Sequence, residues 1–218
     1  MSKPILVIGK SGSGKTRSII NLDPKETFII NVNGKDLPIK GWRKKYTPLN
    51  GSTGNLFISD DSDKIGASLQ WIDKERQEIK VVVIDDFQYI MANEFMRRGK
   101  EKGYEKFTEI GQHAWTLLFD SRLFRQDLFV VFLAHSEETE NGEIKCKTIG
   151  KMLDDKICIE GLFTIVLNTV YDDGKYYFET QTNGRNTTKT PEGMFAERRI
   201  DNDLKLVIDA ARKYDLEN

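Results

Sequence analysis

Eight residues near the start of the chain, Gly9-Lys10-Ser11-Gly12-Ser13-Gly14-Lys15-Thr16, have the types and spacing to hold a run of phosphates. The glycines let the backbone curl so that its N–H groups converge on anion oxygens. Lys15 adds a cation that reaches the β- and γ-phosphates, and Thr16 adds a hydroxyl for Mg²⁺. The pattern is G-x-x-x-x-G-K-[ST], the P-loop, and its fixed positions coincide by chance in about one chain of this size per hundred. ATP and Mg²⁺ are the expected cofactors.

Two further stretches end in chemistry. Lys80-Val-Val-Val-Ile-Asp85-Asp86 is a β-branched run with acids at its C-terminal end, the pattern of a buried parallel strand feeding a ligand site. Asp85 is the expected Mg²⁺ partner, and Asp86 the group that orients or activates water. Leu128 to Ala134 is a second apolar run, followed by His135. That histidine either senses the γ-phosphate or caps the strand. The other histidine, His113, falls in a predicted helix, which argues against a zinc pair.

These residues need strands to carry them and helices to cover the strands. The sequence predicts strands at 3–8, 27–32, 80–86 and 128–134. Helices are expected at about 15–22, 64–75, 87–96, 104–124 and 201–214. Asp172-Asp173-Gly174 between two strand-like runs signals a hairpin. The segment 33–53 is punctuated by glycine and proline and reads as turns. Alternation of strand and helix after the P-loop gives an α/β fold: a mainly parallel central sheet flanked by helices, with a C-terminal β-hairpin. One domain over 1–218 is expected.

Composition narrows the function. Basic and acidic residues nearly cancel, 33 against 34, so no global field draws in nucleic acid or membrane. Any nucleic-acid contact must be local. Two cysteines in no metal-like spacing fit a reduced compartment. No apolar run approaches the length of a membrane span, so a cytoplasmic protein is expected, without a membrane partner.

GKSGSGKT, KVVVIDD, FLAHSEE, YYFETQTNGR and TTKTPEGMF, in this order, resemble the RecA-like, AAA-type ATPases encoded by bacteriophages, and so does the run KTIGKMLDDK. The resemblance covers nearly the whole chain. It implies a RecA-like P-loop ATPase acting with single-stranded DNA, in annealing and recombination beside phage replication genes. The compartment would then be the cytoplasm of a bacterial host. RecA relatives place a Lys or Arg from one subunit beside the γ-phosphate of the next. The matching segment here offers Lys189 first and Arg185 second, and implies a ring or filament. They also carry a DNA-facing loop at about the place, after the strand that ends in Asp85 and Asp86, where this chain has Arg97, Arg98, Lys100 and Lys102. Arg43, Lys44 and Lys45, beside Trp42 and Tyr46, form another basic cluster with aromatics.

Two departures matter. RecA relatives keep a glutamate after the second strand, but here the segment reads Ile30-Asn31-Val32-Asn33-Gly34. Either Asp86 takes over or hydrolysis is slow. Lys10 also stands five residues before Lys15, as in partition ATPases that use it across a dimer. Three functions follow: a DNA-coupled ATPase, an ATP switch that recruits a phage or host replication protein in the manner of a helicase loader, and a small-molecule kinase. The absence of an Arg-rich lid weakens the third.

Overall fold

The computed structural model describes residues 2–148 and 158–216. In chain order the strands are β1 (Ile5–Gly9), β2 (Thr27–Asn31), β3 (Leu56–Ile58), β4 (Val81–Asp85), β5 (Phe129–Glu138), β6 (Ile144–Cys146), β7 (Ile165–Asp172), β8 (Lys175–Glu179) and β9 (Arg199–Asp201). The helices are α1 (Trp42–Lys45), α2 (Ser62–Glu75), α3 (Gln88–Arg97), α4 (Glu105–Asp120) and α5 (Leu204–Leu216). The sheet runs β3-β2-β4-β5-β1-β7-β8-β9. Its pairs from β3 through β7 are parallel, and β8 and β9 add antiparallel at one edge. This is the mainly parallel α/β sheet that the sequence predicts. Among the described residues no helix is long and apolar enough to cross a membrane.

Alternation along the strands builds two cores, because successive side chains point to opposite faces. Leu6, Ile8, Val82, Ile84 and Phe132 face one way, toward Ile65, Leu69 and Ile72 of α2, Ile90 of α3 and Ile110 and Leu117 of α4. Ile5, Val7, Val83, Val131 and Leu133 face the other way, toward Val207, Ile208 and Ala211 of α5. Burial on both faces explains why β1 and β4 read as unbroken apolar runs.

Local chemistry sets the ends. Asp61 caps α2 by accepting from the backbone N–H groups of Asp63 and Lys64, each at 3.1 Å. Past its far end the Arg125 guanidinium donates to the carbonyls of Ile72 (2.9 Å), Asp73 (2.8 Å), Arg76 (3.2 Å) and Ile79. The β7–β8 hairpin closes through Asp173 and Gly174, with φ of 46° and 77°, the two left-handed residues of a primed turn.

Three expectations change. The helix expected at 15–22 is a single 3-10 turn, Thr16–Ile19. The Ser18 hydroxyl bonds back to the Lys15 carbonyl (2.5 Å), and Pro24 disfavours helix at Asp23, so the chain turns early into β2. The segment 33–53 holds the one-turn helix α1. And β5 does not stop at Ala134: it runs on to Glu138, where β6 pairs antiparallel with it, so His135 lies within a strand. Most of the KTIGKMLDDK run lies outside the described residues.

Candidate nucleotide site

The loop after β1 is shaped by its neighbours. Gly12 and Gly14 have φ of 77° and 100°, which turn their backbone toward the cleft in the manner of an anion nest. The Ser13 hydroxyl donates to the Lys10 carbonyl (2.7 Å) and makes a short hydrogen bond with Thr169 of β7. Ser13 therefore fastens the loop to the sheet and does not face a ligand. Gly9 lies so close to β7 that an added Cβ would stand 1.9 Å from Thr169 Oγ1. Gly9→Ala is therefore expected to lower stability by about 1–3 kcal/mol through overpacking, read from urea unfolding.

Lys15 is buried, and its ammonium donates to the carbonyls of Gly9 (2.8 Å) and Lys10 (3.0 Å). Burial lowers its pKa to about 8, against the pull of Asp86 and Asp85. The Thr16 hydroxyl donates to the Asp85 carboxylate, at 2.8 Å and 3.0 Å to its oxygens. Asp85 ends β4 and stands beside the loop because β5 alone separates β4 from β1. Burial, then the charge of Asp86, raises Asp85 to about 6.

Asp86 leaves the strand with φ of 65°. That turn brings its carboxylate to Asn33 Nδ2 (3.0 Å), Lys35 Nζ (2.5 Å) and His135 Nε2 (3.3 Å). Burial opposes its ionisation, but hydrogen bonds from His135, Lys35 and Asn33 outweigh it and hold the carboxyl well below the usual range. Lys35 is raised in turn, chiefly by its bond to Asp86. The His135 ring stands edge-on to Tyr89, and its backbone N–H donates to Gln88 Oε1 (3.0 Å). These groups open onto a cleft of about 300 Å³ whose walls include Gly12, Lys15, Thr16, Lys35, Asp86 and His135. Arg17 and Tyr176 also line it, with the Arg17 guanidinium over the Tyr176 ring at 5.0 Å and Tyr171 packed against that ring at 4.6 Å. A larger cavity of about 460 Å³ lies between α2 and α4 and contains no P-loop residue.

A protein-family model described as an AAA domain matches residues 1–192. The chain belongs to that AAA domain family. A comparison with curated proteins found no match. The AAA domain assignment makes this an AAA-type P-loop ATPase domain, and the donor set agrees with its usual ligands. A hydroxyl and a carboxylate are the hard oxygens that Mg²⁺ takes, so Thr16 and Asp85 would hold the ion, which neutralises phosphate charge. Lys15 and the loop N–H groups would hold the phosphates.

The AAA domain fold brings together Gly9 to Thr16, Asp85, Asp86 and His135, but not the remaining candidates. Lys10 is exposed and pairs with Glu138 at 3.3 Å. The backbone of Lys189 pairs with Val166, level with Leu6 and short of the loop at Gly9. Arg185 is exposed, and its carbonyl accepts from the Ile144 N–H (2.7 Å). Arg97 pairs with Asp60 (2.5 Å), and Arg98 is ringed by Glu94 (3.1 Å), Glu101 (2.8 Å) and Glu109 (2.5 Å). This narrows the expected basic loop to Lys100 and Lys102, which are exposed. Tyr46 is 1% exposed and belongs to the core, so it offers no stacking surface beside Arg43. Sequence reasoning missed Asn33, Lys35 and Tyr176. The first two stand in the Asn-Gly turn directly after β2, at the sheet edge where ligands gather, and that position was the available signal.

A pH dependence follows from Lys15. Phosphate charge favours its protonated form, so binding above pH 8 must take up a proton. Nucleotide affinity is expected to fall by up to about tenfold per pH unit above pH 8, and this group contributes no slope below pH 7. Titration of a fluorescent ATP analogue from pH 7 to 9.5 checks this. A Lys15→Arg variant, which stays charged, is expected to lose the slope.

Proposed function

We propose that this chain is a Mg²⁺-dependent ATP hydrolase that acts with single-stranded DNA in phage recombination or replication. The observation that carries the hydrolase part is the Thr16–Asp85 hydrogen bond beside the buried Lys15 ammonium, which joins a metal site to a phosphate site. The DNA part is supported by the RecA-like resemblance of the chain, and exposed Lys100 and Lys102 are its candidate contacts. Lys189 and Arg185 lie away from their own cleft, so a role for either in hydrolysis is a role in the cleft of a neighbouring copy, in a ring or filament.

One observation favours a second reading. Asp86 already accepts from Asn33, Lys35 and His135, so it has little capacity left to take a proton from water. Such a chain would bind ATP, turn over slowly and recruit a replication partner. Steady-state ATP hydrolysis with and without single-stranded DNA separates the two, with Lys15→Ala as the blank. Stimulation by DNA supports the coupled ATPase, and Lys189→Ala is then the next variant. ATP binding without stimulated turnover moves the assignment to the switch.

A further inference from the structure

Lys35 has no assigned role, yet its position is unusual for a surface lysine. Its side chain is 63% exposed, but its ammonium does not point into solvent: it rests on Asp86 Oδ2 at 2.5 Å. It lines the same cleft as Lys15, Thr16 and His135. Its ammonium also lies 6.0 Å from the centre of the Tyr89 ring, and Tyr89 packs against His135. The residue follows Gly34 in the turn after β2, so its stem is anchored beside the acidic end of β4 while its four-carbon chain is free to swing. Asp86 does not depend on it alone, since Asn33 and His135 remain as donors if it leaves.

We propose that Lys35 is a γ-phosphate-sensing cation supplied within the chain itself. It rests on Asp86 when the cleft holds a diphosphate, and transfers to the terminal phosphate when it holds a triphosphate. This rests on the reading of the cleft as an ATP site. Two charges decide the transfer. A terminal phosphate entering beside Lys15 approaches the Asp86 carboxylate, and without a cation between them the two repel. Lys35 is the exposed cation already in place there, and the γ-phosphate offers it several anionic oxygens where Asp86 offers one. A diphosphate ends short of that point and leaves the Lys35–Asp86 pair intact. The swap would also leave Asn33 as the one remaining donor to Asp86 Oδ2 and tell the β2 turn, Asn33 to Lys35, which nucleotide is bound. In hydrolysis water oxygen bonds to the γ-phosphorus, the bond to the bridging oxygen breaks, ADP leaves with that electron pair, and a proton of the water passes to an oxygen of the released phosphate. Lys35 would offset the charge that moves onto the transferring group, without itself giving up a proton.

The test compares equilibrium binding of fluorescent ADP and of a non-hydrolysable fluorescent ATP analogue, with Mg²⁺, in the wild-type chain, Lys35→Met and Lys35→Arg. Single-turnover hydrolysis of ATP is measured alongside. In Lys35→Met the analogue is expected to bind about tenfold more weakly while ADP affinity stays within about twofold. The single-turnover rate is expected to fall on the order of 10²-fold, and Lys35→Arg to recover part of both losses. Equal losses for ADP and analogue, or no loss for either, would overturn the proposal and leave the cleft assignment standing. Failure of the wild-type chain to bind ADP would overturn that assignment, and the role of Lys35 with it.

Discussion

Lys15→Ala is expected to lower ATP turnover by about 10²–10³-fold and to remove most nucleotide binding, while leaving the fold intact. The loss is large because this ammonium is buried at the centre of the loop, on the carbonyls of Gly9 and Lys10. The other cations of the cleft are engaged elsewhere: Lys35 rests on Asp86. Arg17 lies over Tyr176, and Lys10 is drawn out to Glu138. The fold survives because the charge of Lys15 is a cost to the empty chain, as its pKa of about 8 records. Thermal unfolding separates the two effects. Saturating MgATP, at about 100 times its Kd, should stabilise the wild-type chain by about 2.7 kcal/mol and the variant by close to nothing. A variant that unfolds well below the wild type without ligand would contradict the argument.

Asp85→Asn is expected to separate stability from activity. The side chain keeps its shape and a carbonyl oxygen to accept from Thr16, but loses the charge that would hold Mg²⁺. Turnover should fall on the order of 10²-fold or more, since a metal's charge stabilisation is worth several kcal/mol. Stability should move the other way. The folded pKa of Asp85, about 6, is raised above the unfolded value near 4 by burial and by Asp86. Between those values the folded chain binds more protons than the unfolded one, so this group makes stability fall as pH rises from 4 to 6. Above pH 6 the loss is complete. The asparagine variant should lack that fall and be more stable at pH 7 by on the order of 2 kcal/mol. Urea unfolding of both chains at pH 4.5, 6 and 7.5 measures the difference. Equal pH slopes would show that Asp85 ionises as freely folded as unfolded.

Much of the site was legible because its parts announce themselves over short spans. β1, β4 and β5 are apolar runs that end in a glycine loop, two acids and a histidine, and parallel sheets put such ends side by side. The Asp-Gly turn marked the β7–β8 hairpin for the same reason: a left-handed pair has few residue choices. The rest depends on partners far off in sequence. Lys35 reads as one lysine in a turn, and Asp86, 51 residues later, is what gives it meaning (86 minus 35). Arg97 and Arg98 read as a basic patch until Asp60 and Glu109 arrive from other elements. β3, β6 and β9 have three residues each, too few to show a period of two. The 3-10 turn at Thr16 was hidden because local hydroxyl and proline effects decide between one turn and four.

The register of β1 bears on how the chain is made. Ile5 to Gly9 pair on one side with Val131 to His135, and Ile5 to Ile8 on the other with Ile165 to Asn168. The P-loop strand therefore leaves the ribosome before either neighbour and waits for both. At about 5–20 residues per second that wait lasts roughly ten to thirty seconds. Until β5 is made neither edge of this apolar segment has its partner, and until β7 is made one edge still lacks it; no nucleotide can shelter it meanwhile, because the β7 anchor at Thr169 has still to be placed. Chains halted before residue 165 should accordingly be chaperone clients that ATP cannot rescue.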